Sequence, residues 1–241
     1  GRIQAVLDYA IVKKYRPAPN PAVWEGNLSV LLPSRPETQR NHPALALDDT
    51  PRWWRELKRR DGMGAKALML LTLTAARSGE IRGIRWDELK LFEKDVSSEK
   101  GYAGTWTRPA NRMKTKVAHR VPITSAMLDL LPQENNQTGL IFASKSGKAL
   151  SDMTLSALTR RMHQADETGY VDKTSGRPAV PHGIRSTFRD WAAEGGHSRE
   201  AAEFQLAHKF GSEVEHAYYR TDLIDARAEL MNKWYAFLEG G

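Results

Sequence analysis

The sequence predicts a mainly helical α+β protein with one small antiparallel sheet. Two observations carry that expectation. Apolar residues recur at helical spacing at both ends of the chain: Ile3, Val6, Leu7, Ala10 and Ile11 near the start, and Leu223, Leu230, Met231, Trp234 and Leu238 near the end. In between, three segments read instead as short strands separated by turn residues: "IRWDELKLF", "GTWTRPA" and "HRVPIT".

The first helix spans residues 3–14 and needs a surface to pack on. Residues 16–47 hold six prolines with little periodicity and read as a linker wrapping a surface. From residue 48 the pattern tightens. Thr50 is placed as an N-cap with Pro51 at the first helical position, and Asp48 and Asp49 suit a cap better than a cation site. The apolar run "AKALMLLTLTAA" reads as a buried helix over 64–76, and Ser78 as the cap of one short helical turn. The three strands follow, the last hairpin carrying "NRMKTKV". Helices return at 125–131 and at 152–165, the second capped by Ser151. "HGIRSTFRDWAAEGG" is a helix ending at Gly195, and Ser198 starts another. "SEVE" at 212–215 has the Ser-x-x-Glu form of a capping box, so Tyr218 and Tyr219 fall on a short helix; residues 222–238 form the last one.

With 241 residues the chain is long enough for a real core. No stretch approaches the roughly 18 apolar residues of a membrane span. No secretory signal opens it, and Gly1 in first place reads as a fragment or a processed chain. The absence of cysteine removes disulfides and thiolate metal sites, and fits a reducing cytoplasm. The net charge of +7 suits a polyanionic partner. Two basic clusters stand out. Residues 108–120 carry five Lys/Arg and no acid; residues 52–60 carry five against one Glu, beside two tryptophans. Cations beside aromatics can hold a nucleic-acid backbone and stack bases. Charge alone favours a solvated helix face or hairpin edge for each.

Individually, the chemistry-bearing residues are weak signals. His182 and Arg185 are three apart and share a helical face, a geometry that can clamp a phosphate. Arg77 ends a strongly apolar helix, where the helix dipole alone would favour it, and Glu80 lies three residues on. Lys114 and Lys116 occupy a hairpin tip, and His208 ends a helix just before the tyrosine pair. His119, His163, His197 and His216 have no partners at metal-ligand spacing, and no Gly-rich phosphate loop, His-Glu-x-x-His or Gly-x-Ser-x-Gly occurs.

In combination and in this order, "AARSGEIRGIRWDE", "RMKTKVAHRVPIT", "PHGIRSTFRDWA" and "LAHKFGSEVEHAYYR" resemble the tyrosine recombinase (phage integrase) family over residues 48–238. The wording is most similar to integrases of satellite phages and genomic islands. The resemblance implies the family's helical catalytic domain with a three-stranded antiparallel sheet over 48–241. It makes residues 1–15 the last helix of a truncated core-binding domain, 16–47 a linker, and 222–241 a segment exchanged between subunits.

The resemblance also implies roles. A tyrosine attacks a DNA phosphodiester, forms a 3′-phosphotyrosyl link and releases a 5′-hydroxyl, with no metal, ATP or other cofactor. Arg77 and Arg185 stabilise the phosphate charge, His182 and His208 bond the phosphate or help take the tyrosine proton, and Glu80 supports them. The family's lysine stands eight residues before the proline of the next strand, which selects Lys114 as general acid over Lys116. Many members place the nucleophile nine residues after the second histidine, which here is Ala217. The subgroup with "LAHK" has one extra residue and a Tyr-x-Arg ending, which selects Tyr218 with Arg220 beyond. Adjacent helical residues point about 100° apart, so only one tyrosine faces the phosphate. Arg112, Lys116 and Arg120 are candidate DNA contacts.

The expected partners are duplex attachment sites and three further copies in a tetramer on DNA, with the fragment alone monomeric. A host bending factor and an excisionase are possible accessories, and the expected location is the bacterial cytoplasm, on the nucleoid. The expected function is integration or excision of a prophage or genomic island. The alternatives are a nicking-closing topoisomerase of type IB, and a DNA-binding module that has lost catalysis. The second would show a gap in the constellation, and none is present.

Overall fold

The computed structural model describes residues 1–32, 42–113, 116–132, 138–208 and 221–241. It divides into two units, Gly1–Arg40 and Asn41–Gly241.

In the smaller unit, α1 (Arg2–Val12) buries none of its residues. Leu7, Ala10 and Ile11 of the predicted apolar face are half-covered; Ile3 and Val6 stay exposed. Asn20 anchors the following chain to this helix. Its amide donates to the Gln4 carbonyl at 2.9 Å and to Asp8 Oδ1 at 2.7 Å. A non-helical turn at Trp24–Leu28, with Gly26 at a positive φ of 71°, and one helical turn at Ser29–Leu31 interrupt the stretch read as linker.

The larger unit contains α2 (Thr50–Lys58), α3 (Met63–Thr74), α4 (Ser78–Arg82), β1 (Leu89–Leu91), α5 (Lys94–Lys100), β2 (Gly104–Arg108), β3 (His119–Ile123), α6 (Ser125–Leu128), α7 (Asp152–Ala165), α8 (Ile184–Glu194), α9 (Arg199–Gln205) and α10 (Ile224–Glu239). The sheet has the order β1-β2-β3, antiparallel throughout, with Leu89 opposite Trp106, Trp106 opposite Val121 and Arg108 opposite His119. α3 is apolar on nearly every side because it runs through the middle of the core, with α2, α4, α7 and α10 against it.

Several boundaries differ from the sequence expectation, each for a local reason. Thr50 is the first helical residue rather than the cap. A 3-10 turn, Leu47–Asp49, runs straight into α2, and the Thr50 hydroxyl donates back to the Ala46 carbonyl at 2.9 Å. Ser78 likewise lies inside α4; Arg77 is the cap residue, and Glu80 accepts its backbone N–H at 2.8 Å. The first predicted strand shortens to Leu89–Leu91 because Trp86–Glu88 forms a 3-10 turn. Helix α5 is fully solvated and has no buried face for periodicity to reveal. Ser198 caps α9 as expected, accepting from the Ala201 N–H at 3.1 Å. The capping box at 212–215 lies outside the described residues.

Residues 42–47 pack within the larger unit. Leu45 is buried, and its N–H and carbonyl both bond the Thr187 hydroxyl at 2.9 Å. Gly183 meets the same segment, where a Cβ would lie 1.8 Å from the Pro43 carbonyl oxygen; only glycine fits between His182 and α8. The tryptophans of the 52–60 cluster are core residues: Trp53 and Trp54 are buried, so neither offers a face for stacking bases. Its cations largely meet acids, Arg52 with Asp49 and Asp166, Arg59 and Arg60 with Glu56, and Lys58 with Glu239.

The C-terminal helix α10 packs on β3, α9, α2 and α3 of its own chain. Trp234 is fully buried against Phe188 and Trp191, and its indole N–H donates to the Thr72 carbonyl at 2.9 Å. Among the described residues no helix is long and apolar enough to cross a membrane.

Candidate active site

The site forms where three chain turns meet. At the end of α3 the backbone turns through Ala75 in a left-handed conformation (φ 49°), which stops the helix and swings Arg77 outward. Arg77 then opens α4. Its guanidinium donates to Glu80 Oε1 at 3.0 Å, while Glu80 Oε2 takes the Arg77 backbone N–H. Arg108, on β2, donates to the same carboxylate from beneath. Burial works against an ionised Glu80, but Arg108 and Arg77 outweigh it and hold its pKa below the ordinary carboxylate value.

Arg185 lies in the first turn of α8 and is 5% exposed. One Nη1 hydrogen goes to the Ala75 carbonyl and an Nη2 hydrogen to the Leu206 carbonyl at 2.7 Å, so the guanidinium bridges the ends of α3 and α9. Nη2 also lies 3.1 Å from His208 Nε2. Burial, then the charge of Arg77, lowers the Arg185 pKa to about 10, leaving it cationic at neutral pH.

His208 follows α9 through Ala207, another left-handed residue (φ 51°). Its Nδ1 is 2.7 Å from Glu203 Oε2. Burial and the charges of Arg185 and Arg77 lower its pKa, with Glu203 opposing them. His182 precedes α8, its ring 4.3 Å from that of His42. It keeps an exposed edge, yet the protein packed round it, then His42, Arg185, Arg77 and His208, push it down to about 4. Both imidazoles are therefore neutral at pH 7.

The fold thus gathers Arg77, Glu80, His182, Arg185 and His208, drawn from segments more than a hundred residues apart, into one cluster. Two guanidiniums and two neutral imidazoles around a turn can take an oxyanion and exchange a proton beside it. Lys114, Tyr218, Tyr219 and Arg220 lie outside the described residues. Arg112 pairs with Glu88, and Arg120 makes a two-pronged bond to Asp222 at 2.8 Å for each contact. Lys116 is exposed, with a positive φ of 58°.

Sequence reasoning missed Arg108, Glu203 and Gln205. Glu203 is buried between His208 and Arg189. Gln205 donates to the Thr74 carbonyl at 2.8 Å and accepts from Arg227. The one legible signal was an acid and an amide inside the short helix before His208.

Fold and site together define the catalytic-domain class of the tyrosine recombinases. The sequence pattern of the phage integrase family matches residues 52–223, and the chain belongs to that family. It is 29% identical to the integrase of Enterobacteria phage P4 over 259 aligned residues, covering 99% of this chain and 53% of that protein. It is 26% identical to the integrase of Shigella phage Sf6, covering 99% and 57%. The chain thus spans about half the length of the curated relatives it matches. Among solved structures, a lambda integrase (75–356) dimer bound to a COC′ core site superposes with a TM-score of 0.54 at 18% identity, covering 86% of this chain and 69% of that one. The XerH site-specific recombinase bound to difH superposes at 0.52 with 14% identity, covering 73% and 52%. These likenesses establish the shared fold.

Proposed function

We propose that the protein is a site-specific DNA recombinase that cuts and rejoins duplex DNA through a 3′-phosphotyrosyl link. The observation that carries this reading is the pair of guanidiniums, Arg77 and Arg185, flanked by the neutral rings of His182 and His208. Such a cluster matches the trigonal-bipyramidal phosphate of an in-line displacement. Two fixed cations meet the charge that grows on the non-bridging oxygens.

In the proposed step, Tyr218 Oη attacks phosphorus and its proton passes to a site histidine. The bond to the 5′-oxygen breaks, and that oxygen takes a proton from Lys114. The phosphodiester energy is kept in the phosphotyrosine, so rejoining needs no further energy source. Glu80 holds Arg77 at its post. Arg112, Lys116 and Arg120 would contact backbone phosphates, Arg120 on releasing Asp222. The whole protein would act on duplex attachment sites, as a tetramer exchanging residues 222–241, to integrate or excise a mobile element in the bacterial cytoplasm.

The test uses the full-length enzyme on a nicked suicide duplex bearing its attachment site, in EDTA. Wild type and Tyr219→Phe should trap a covalent protein–DNA adduct on a denaturing gel; Tyr218→Phe should not. Loss in Tyr219→Phe alone would keep the chemistry and move the nucleophile by one residue. No adduct from wild type would defeat the reading.

A further inference from the structure

Arg108 closes β2, where the pleat sets it two residues from Trp106 on the face turned to the core. It is 2% exposed, and its guanidinium lies 5.0 Å from the centre of the Trp106 ring. Burying a charge there is costly, and its Nε has no hydrogen-bond partner among the described residues. An apolar side chain at 108 would pack on Trp106 without either cost. Among the described residues the one ion pair of Arg108 is with Glu80, and that carboxylate belongs to the site.

Glu80 divides its oxygens. Oε1 takes the Arg77 guanidinium at 3.0 Å; Oε2 takes the Arg77 backbone N–H at 2.8 Å and the Arg108 guanidinium. Arg77 is the freer of the two cations, its side chain 35% exposed against 2%. A carboxylate held by Arg77 alone would follow it when the guanidinium turns to a phosphate. Arg108 gives that carboxylate an anchor which does not move with the substrate.

We propose that Arg108 is a positioning residue: it pins Glu80 from the core side, and Glu80 so pinned presents Arg77 to the phosphate. This rests on the recombinase reading above. Arg108 itself touches no substrate; its effect passes through the carboxylate. The charges around Glu80 fit this assignment. Arg77 faces it from the turn that opens α4, Arg108 from β2 and Arg112 from the turn after β2, while Arg185 acts on it from α8. Arg112 is taken up by Glu88. His119, opposite Arg108 on β3, stays neutral down to about pH 2. Burial pushes Glu80 up, and Arg108 leads the groups that pull it down. Burial lowers the Arg108 pKa only to about 10, so the anchor keeps its charge.

The first arm of the test needs no DNA. The 241-residue chain carries ¹³C-labelled glutamate and a ¹⁵N-labelled backbone, and Glu80 is assigned through Glu80→Gln. In wild type the Glu80 ¹³Cδ signal and the Arg77 N–H signal should titrate together, below the ordinary carboxylate range. In Arg108→Met both midpoints should rise. In Arg108→Lys, which keeps a cation beside Glu80, they should stay near wild type. Arg108→Gln, which keeps donors without the charge, carries the expectation of raised midpoints where Arg108→Met does not fold. The second arm uses the full-length enzyme on the nicked duplex. Arg108→Met should form adduct roughly tenfold to a hundredfold more slowly at pH 7, the scale on which a displaced positioning group acts. Its acid limb should move to higher pH, because Glu80 protonates sooner. Arg108→Lys should recover most of the rate. Glu80→Gln combined with Arg108→Met should be no slower than Glu80→Gln alone, since Arg108 works only through the carboxylate. Losses that multiply in the double variant, or an Arg108→Met enzyme with the wild-type Glu80 midpoint and rate, would overturn the proposal. If wild type forms no adduct, the recombinase reading falls, and the two titrations decide whether Arg108 fixes Glu80 and Arg77.

Discussion

Arg227 and Gln205 are joined by two hydrogen bonds to a single oxygen: Nε and Nη2 of the arginine reach Gln205 Oε1 at 3.0 and 2.9 Å. Arg227 is wholly buried on α10, and it also donates to the carbonyls of Asp222 and Arg120. Gln205 in turn holds the end of α3, one residue before the carbonyl that Arg185 binds. The C-terminal helix is thereby fastened to the floor of the site. Arg227→Met keeps the apolar stem and removes the donors. Each acceptor that water cannot reach then costs about 1–3 kcal/mol. The urea midpoint should fall accordingly; an unmoved midpoint would show that the junction contributes nothing net.

Trp234 tests the same helix through packing. Its ring is fully buried among Phe188, Trp191 and Phe237. Trp234→Ala should destabilise the chain by about 3–5 kcal/mol. Trp234→Phe keeps most of the packing but loses the N–H bond to the Thr72 carbonyl, which is worth about 1 kcal/mol. Thermal unfolding of the two variants should rank them in that order.

Stability should decline on the acid side of neutrality. His119, half-buried beside Arg108 and Arg227, is pushed down to about 2, chiefly by desolvation, and His182 to about 4. Both pKa values lie below that of an unfolded histidine, so the unfolded chain binds more protons between the two limits. Their contribution is complete above about pH 6.5 and is lost as pH falls towards the folded values. Urea midpoints from pH 7 to 4 should trace the decline, and His119→Gln should flatten it. A wild-type midpoint that holds constant over that range would contradict the assignment.

Arg185→Lys should be far more damaging to cleavage than to folding. A lysine carries the charge but cannot reach the Ala75 and Leu206 carbonyls and the phosphate together. Adduct formation should drop by about 10²–10³-fold, the scale for losing one preorganised donor at a charged transition state. Near-wild-type adduct yield in this variant would remove Arg185 from the charge-stabilising role.

Affinity for duplex DNA should fall steeply with salt, because the proposed contacts are to phosphates. Arg120→Gln should reduce the slope of log K against log salt by about one unit if Arg120 leaves Asp222 for the backbone. An identical slope would place Arg120 in the Asp222 pair alone.

Much of this molecule is legible in one dimension. Helices α3, α7, α8 and α10 announce themselves because each must bury a face, and burial leaves a period in the sequence. α5 buries nothing and leaves no period. Thr50 and Ser78 look like caps because their side chains favour that position; which residue actually takes it depends on the turn before, at Asp49 and Arg77. Arg77, Glu80, His182, Arg185 and His208 were found through their order along the chain, which the resemblance made readable.

By itself, then, the sequence determined the class, the sheet and the residue types of the site, because periodicity, turn chemistry and motif order are local properties. The pairings belong to the tertiary structure alone. Arg108 shares Glu80 with Arg77, His119 meets Arg227, and Glu203 takes the Nδ1 edge of His208 while Arg185 takes Nε2. Hydrogen-bond direction and desolvation depend on which groups lie within a few ångströms, and those groups come from different elements, as far apart in the chain as the 108 residues between His119 and Arg227.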